Sequence, residues 1–70
     1  MDKITFKNAL DASDFASYLI DNINQGRKQV LIDYHGGDSV SYELHDVIHD
    51  DISEHINDKL NKYIKEDKIL

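Results

Sequence analysis

The stretch KQVLIDYHGGDSVSYEL at residues 28–44 decides the fold, because it has the pattern of two β-strands joined by a short turn. Its apolar side chains fall at every second position, at Val30, Ile32 and Tyr34 and again at Val40, Tyr42 and Leu44. A loop of three or five residues pairs these side chains on one face, whereas a two-residue Gly36-Gly37 loop would mix the faces. The sequence therefore predicts a hairpin of strands 28–35 and 39–44, with only Leu31 interrupting the polar second face.

Upstream of the hairpin, residues 12–24 have the spacing of an amphipathic helix. The apolar positions are Ala12, Phe15, Ala16, Leu19, Ile20 and Ile23. Asp11 is the predicted N-cap, and Gly26 is placed to end the helix. Before the helix, Ile4 and Phe6 alternate with polar residues and predict a short first strand.

Downstream, a second helix is predicted to end at about Asp67. Its apolar stripe consists of Ile48, Ile52, Ile56, Leu60, Tyr63 and Ile64. Either Asp46 or Asp51 is its candidate N-cap, the latter with Glu54 as a capping-box partner. Near its end, either Tyr63 and Ile64 complete the core while Ile69 and Leu70 fray, or these four residues provide a homodimer contact.

The element order β-α-β-β-α predicts a single small α+β domain at residues 1–70. A strand-helix-strand unit usually forms a right-handed parallel crossover, and the hairpin would add an antiparallel strand. We therefore expect a two-layer sandwich with a three-stranded mixed sheet, two helices on one face and the other face open.

Composition excludes several classes of function. The chain has 70 residues, no cysteine and a formal charge of −6, so disulfides and thiolate metal sites are absent and direct nucleic-acid binding is disfavoured. No apolar run has the length of a membrane span or of a signal peptide core, so we expect a cytoplasmic protein without membrane contact. No motif for a cofactor is present, and the missing catalytic parts favour a non-enzyme.

The acidic patch in the second helix is the candidate binding site. Residues 43–58 contain six acids and no Lys or Arg, and four of the acids share one helix side: Asp50, Asp51, Glu54 and Asp58. Such a run is usually a solvated face. The functional interpretation is a small regulatory or inhibitory domain that docks on a basic protein partner, for example by imitating the spaced phosphates of nucleic acid.

Two alternatives remain open at this point. One is a structural or assembly subunit that acts as a homo-oligomer through its C-terminal apolar residues or the sheet face around Leu31. The other is a metal-binding protein, because His45 and His49 have the four-residue spacing with which two imidazoles on one helix share an ion. The spacing alone is a weak signal, because a helix that starts at Asp46 puts His49 on the stripe of Ile52 and Ile56 as a packed or boundary histidine.

Overall fold

The computed structural model describes residues 2–26, 30–44 and 50–70. Within these ranges the predicted order β-α-β-β-α is confirmed, and the protein is a small α+β domain. Its strands and helices are β1 (Asp2–Thr5), α1 (Ala9–Tyr18) with a π-helical continuation (Leu19–Asn24), β2 (Val30–Asp33), β3 (Ser39–Leu44) and α2 (Asp50–Lys65). No helix in these described ranges is long and apolar enough to cross a membrane.

The sheet is entirely antiparallel, so the prediction of a mixed sheet is wrong. Its strand order is β1-β3-β2, and β3 pairs antiparallel with both neighbours. The strand-helix-strand unit does run its two strands in the same direction, but it leaves a gap between them that β3 fills. Because β1 and β2 never become neighbours, no parallel pair forms.

The hairpin register was predicted correctly where both strands are present. Val30 lies opposite Leu44 and Ile32 opposite Tyr42. Strand β2 ends at Asp33 and β3 begins at Ser39, so the five-residue loop is the one adopted. Gly36 has φ +84° in this loop, a conformation that favours glycine.

Helix α1 begins earlier than predicted, and its N-cap is Asn8 rather than Asp11. The Asn8 side chain accepts a hydrogen bond from the Asp11 backbone N–H at 2.9 Å, which places Asp11 in the first turn. At the other end, the Gln25 N–H bonds to the Ile20 carbonyl at 3.1 Å, a π-type i→i+5 contact. Gln25 and Gly26 then take positive φ and end the helix, close to the predicted stop.

Helix α2 contains Asp51 in its first turn, so Asp51 is not its N-cap; Asp46, the other candidate, lies outside the described residues. The helix ends in a Schellman motif: Asp67 has φ +59°, its N–H bonds to the Ile64 carbonyl at 3.0 Å, and the Lys68 N–H bonds to the Tyr63 carbonyl at 2.9 Å. This turn reverses the chain toward β1.

The last residues pair with the end of the first strand, so the prediction that Ile69 frays is wrong. Phe6 and Ile69 form an antiparallel bridge, flanked by bonds from the Lys7 N–H to the Lys68 carbonyl at 2.8 Å and from the Leu70 N–H to the Thr5 carbonyl at 3.0 Å. Ile69 packs against the core, whereas the Leu70 side chain is exposed. Tyr63 is buried as predicted, but Ile64, which the same interpretation placed in the core, is exposed.

One hydrophobic core joins both helices to the sheet. Its largest fully buried side chains are Phe6, Phe15, Leu19, Ile56 and Val40. Aromatic rings form its centre, with Phe6 edge-on to Tyr63 at 5.1 Å between centroids and Phe15 edge-on to Tyr42 at 5.8 Å. Along the strands, buried Val30, Val40 and Tyr42 alternate with exposed Leu31 and Glu43.

Candidate protein-docking surface

The acidic residues predicted as the binding site lie on α2. Asp51, Glu54 and Asp58 are exposed, and their i, i+3, i+7 spacing puts them on one side of the helix. Asp50 is the first described residue of the helix. Ile56 is fully buried and Ile52 packs against the core, so the apolar side of α2 faces inward and the acidic side faces solvent.

These three carboxylates make no ion pair with any residue that the structure describes. The ion pairs within residues 2–26, 30–44 and 50–70 involve other acids: Lys7–Asp67 at 2.7 Å, Lys68–Asp11 at 3.5 Å, Lys68–Glu66 at 3.0 Å and His35–Asp33 at 2.6 Å. The negative charge of Asp51, Glu54 and Asp58 is therefore left without a salt-bridge partner in the described chain.

Lys59 follows directly after Asp58, but its ammonium group is directed to aromatic rings. The Nζ atom lies 5.2 Å from the ring centroid of Tyr18 and 5.3 Å from that of Tyr63, a cation–π arrangement with two rings. The nearest cation in sequence is therefore held at the junction of the two helices.

Tyr18 joins the two helices next to the acidic side. Its hydroxyl donates a hydrogen bond to the His55 backbone carbonyl at 3.2 Å. Burial raises the pKa of Tyr18, and the negative charge of Asp58 raises that pKa further. The hydrogen bond from Tyr18 to His55 and the contact of Lys59 with the Tyr18 ring show that this part of α2 borders the first helix.

A second contact between the helices engages an acid of α1. The Tyr63 hydroxyl donates a short hydrogen bond to the Asp14 carboxylate. Burial is the main cause that raises the pKa of Tyr63, followed by this hydrogen bond and the charges of Asp14, Asp11 and Glu66. Asp14 thus has a structural partner in the described chain, whereas Asp51, Glu54 and Asp58 have no ion-pair partner there. The spacing of residues 14 and 63 in sequence contained no signal for this contact.

Surface grooves lined by described residues border α1 at two places. The larger has a volume of about 520 Å³ and is lined by Leu10, Asp11, Ser13, Asp14 and Lys68. The smaller, about 230 Å³, lies at the helix junction and is lined by Asp14, Ser17, Tyr18, Asp21, Asn22 and Lys59. Sequence reasoning did not predict either groove, because each depends on how α1 packs against residues at the far end of the chain.

The histidine pair proposed as metal ligands, His45 and His49, lies outside the described residues. Among the residues that are described, no three His, Asp or Glu side chains converge as a metal site would require. His55 is exposed on α2, and the contact the structure shows for it uses its backbone carbonyl.

The comparisons with known proteins add no relative to this picture. The chain matches no protein-family model, no curated protein and no solved structure at a significant level of similarity.

Proposed function

We propose that this protein is a small acidic binding domain, regulatory or inhibitory in role, which docks on a basic surface of a partner protein rather than catalysing a reaction. The docking residues are Asp51, Glu54 and Asp58 of α2, with Asp50 at the start of the same helix. The observation that carries the proposal is that the three described acids share an exposed helix side and have no cation paired with them within the described chain.

The physical support is electrostatic. An unpaired row of carboxylates attracts a basic surface and repels other acidic surfaces, so it contributes to the rate and the specificity of association. The acids of α2 repeat a negative charge about once per helical turn, and the phosphates of a nucleic-acid strand repeat a negative charge at every nucleotide, so a basic partner would meet regularly spaced charge in both cases. The formal charge of −6 over 70 residues extends the same field around the domain.

The fold is suited to presenting the acidic side of α2 to a partner. We take the domain to be a two-layer sandwich in which both helices cover one sheet face and the other face is open. In that arrangement α2 is held by Ile56 and Tyr63 in the core, while its acidic side is free for a rigid partner surface. A pre-organised helix loses little conformational entropy on binding.

The test is a pull-down from host lysate that compares the wild type with two variants of equal charge. The site variant neutralises Asp51, Glu54 and Asp58 as Asn, Gln and Asn. The control variant neutralises three exposed acids elsewhere, Asp2, Asp38 and Asp67, as Asn. Each variant raises the formal charge from −6 to −3, so a general charge effect is the same in both.

The proposal predicts a partner that the wild type and the control retain and that the site variant loses. Its affinity should also fall as salt rises from about 0.05 M to 0.3 M, since exposed charges are increasingly screened. A partner retained by the site variant, or lost equally by both variants, would contradict the assignment of α2 as the docking surface.

For the alternative function, self-assembly, less apolar surface is exposed near the end of α2 than the sequence suggested. Tyr63 is buried and Ile69 packs against the core, which leaves Ile64 and Leu70 exposed at 59% and 78% near the end of α2. Sedimentation equilibrium at millimolar concentration tests it: a dimer lost on Ile64→Ser would favour the alternative, and a monomer would remove it.

A further inference from the structure

The outer edge of β2 is open at Ile32. The Asn24 side chain accepts from the Val30 N–H at 2.8 Å and donates to the Val30 carbonyl at 3.1 Å, so both backbone groups of Val30 point away from β3. In an antiparallel pair these directions alternate along the strand, and the N–H and carbonyl of Ile32 therefore point outward as well. No residue in the described chain bonds to them.

The opposite edge of the sheet is protected. Residues 68–70 pair with the end of β1 through Phe6 and Ile69, and Leu70 bonds to the outward carbonyl of Thr5. Toward the start of β1, the next residue whose backbone groups point outward is Lys3. A lysine on an edge strand opposes the addition of another strand. Of the two edges, β2 is therefore the one that the described residues leave available for pairing.

The side chains beside this open edge define what would fit. Leu31 is 46% exposed on the solvent side of β2, and Asp33 lies on the same side two residues further on. Glu43 stands opposite Leu31 on β3 and is also exposed. An added strand would thus meet the apolar side chain of Leu31 and the carboxylate of Asp33, which also contacts His35 at 2.6 Å, with the carboxylate of Glu43 one strand further in.

We propose that the edge of β2 binds an extended segment of a partner protein by strand addition, with an apolar side chain of that segment against Leu31 and a lysine or arginine near Asp33 and Glu43. Backbone hydrogen bonds to Ile32 hold the segment, and the alternating side chains select it. This surface uses residues of β2 and β3 and is separate from the acids of α2.

The probe for the full chain is a short acetylated peptide, about seven residues long, with threonine at every second position and valine and lysine in turn at the positions between. This order puts its valine and lysine side chains on one face of the added strand, as Leu31 and Asp33 are on one face of β2. NMR titration follows the Ile32 amide, which should shift and should exchange with solvent about tenfold more slowly in the complex. The same peptide with glutamate in place of lysine tests the charge preference, and the lysine-valine peptide methylated on every backbone nitrogen tests the hydrogen bonds. Both should bind more weakly.

Two leucine variants separate this edge from general stickiness. Leu31→Lys should raise the Kd of the peptide about tenfold, because it removes the apolar contact and adds a positive charge at the edge. Leu10→Lys, which changes an 80% exposed leucine of α1, should leave the Kd unchanged. Both side chains are exposed, and circular dichroism confirms that each variant is folded.

Four results would overturn the proposal. The first two are equal binding of the methylated or the glutamate peptide and an unchanged Kd in Leu31→Lys. The third is a set of shifts confined to Asp51, Glu54 and Asp58, which would support docking through α2 while removing strand addition. The fourth is an Ile32 shift that depends on protein concentration without peptide and accompanies a doubled sedimentation mass, which would assign the edge to a second copy of the chain.

Discussion

The hydroxyl of Tyr63 on α2 donates a hydrogen bond to the carboxylate of Asp14 on α1, and it does so from a ring packed edge-on against Phe6. Tyr63→Phe keeps the ring and removes the hydroxyl, so we expect the free energy of unfolding to fall by about 1–2 kcal/mol. Urea denaturation at neutral pH measures this. Tyr34→Phe is the control: its hydroxyl lies 3.5 Å from the Ala9 carbonyl, a long contact whose loss should cost less than about 0.5 kcal/mol.

The same tyrosine makes stability depend on pH in the alkaline range. Burial, the hydrogen bond to Asp14 and nearby acids raise the pKa of Tyr63 above its usual 10.0 in the folded protein. The unfolded chain then loses its tyrosine proton at a lower pH than the folded chain does, so the contribution is fully present below about pH 10 and declines above it. We expect wild type to lose more stability than Tyr63→Phe between pH 9 and pH 11.

Urea titrations at closely spaced pH values check this expectation. A smaller decline should remain in Tyr63→Phe, because burial also raises the pKa of Tyr18 and of Tyr42. Identical pH profiles for the wild type and the variant would show that Tyr63 does not carry the effect.

The N-cap of α1 is a separate source of stability. The Asn8 side chain accepts from the Asp11 N–H and donates to the Asp11 carboxylate, both at 2.9 Å. Asn8→Ala should lower the free energy of unfolding by about 1 kcal/mol, and Asn8→Ser should recover most of this loss because serine also caps helices well. Thermal and urea denaturation of the pair give the comparison, and equal losses in both variants would argue against a capping role.

The pairing of Phe6 with Ile69 predicts an unusual sensitivity at the end of α2. Deleting residues 69–70 removes the bridge, the Leu70-to-Thr5 hydrogen bond and the packing of Ile69, and we expect a loss of about 2–3 kcal/mol. Leu70→Ala keeps that backbone bond and changes an exposed side chain, so its effect should stay below about 0.5 kcal/mol. Denaturant midpoints distinguish the two, and a silent deletion would mean that the pairing contributes little.

The two glycines of the hairpin loop should respond differently to alanine. Gly36 has φ +84°, where a Cβ atom is strained, while Gly37 shows no such backbone and has open space around its position. Gly36→Ala should therefore destabilise the protein by about 1 kcal/mol, and Gly37→Ala should be neutral or slightly stabilising. Similar denaturation curves for both variants would contradict the backbone conformation of the loop.

Local patterns predicted the elements well, and long-range geometry accounts for what they missed. The pairing of Ile32 with Tyr42 followed from alternation alone, because a shift by one residue would expose the apolar side. The central position of β3 did not follow, since a helical crossover can lead to an adjacent strand or to one a position further away. The capping of α1 by Asn8 instead of Asp11 turned on a single local hydrogen bond that two neighbouring polar residues were both suited to make.

The same distinction applies to the candidate site, where local spacing predicted one part and tertiary packing determined the rest. Helical spacing was sufficient to put Asp51, Glu54 and Asp58 on one exposed side. That Lys59 turns toward Tyr18 and Tyr63 depends on tertiary packing, and no sequence rule indicated it. The sequence also did not predict that the backbone N–H and carbonyl of Ile32 are open, because an edge strand can be identified only once the strand order is known.

The bridge between Phe6 and Ile69 also affects the order in which parts of the chain fold during synthesis. Its partners are separated by almost the whole described chain, and such distant contacts close the largest loop at the highest entropic cost. A growing chain on the ribosome can form α1 and the hairpin early, but it can close this contact only after residue 69 has left the exit tunnel. Until that moment the outer side of β1 is exposed to chaperones and to other nascent chains.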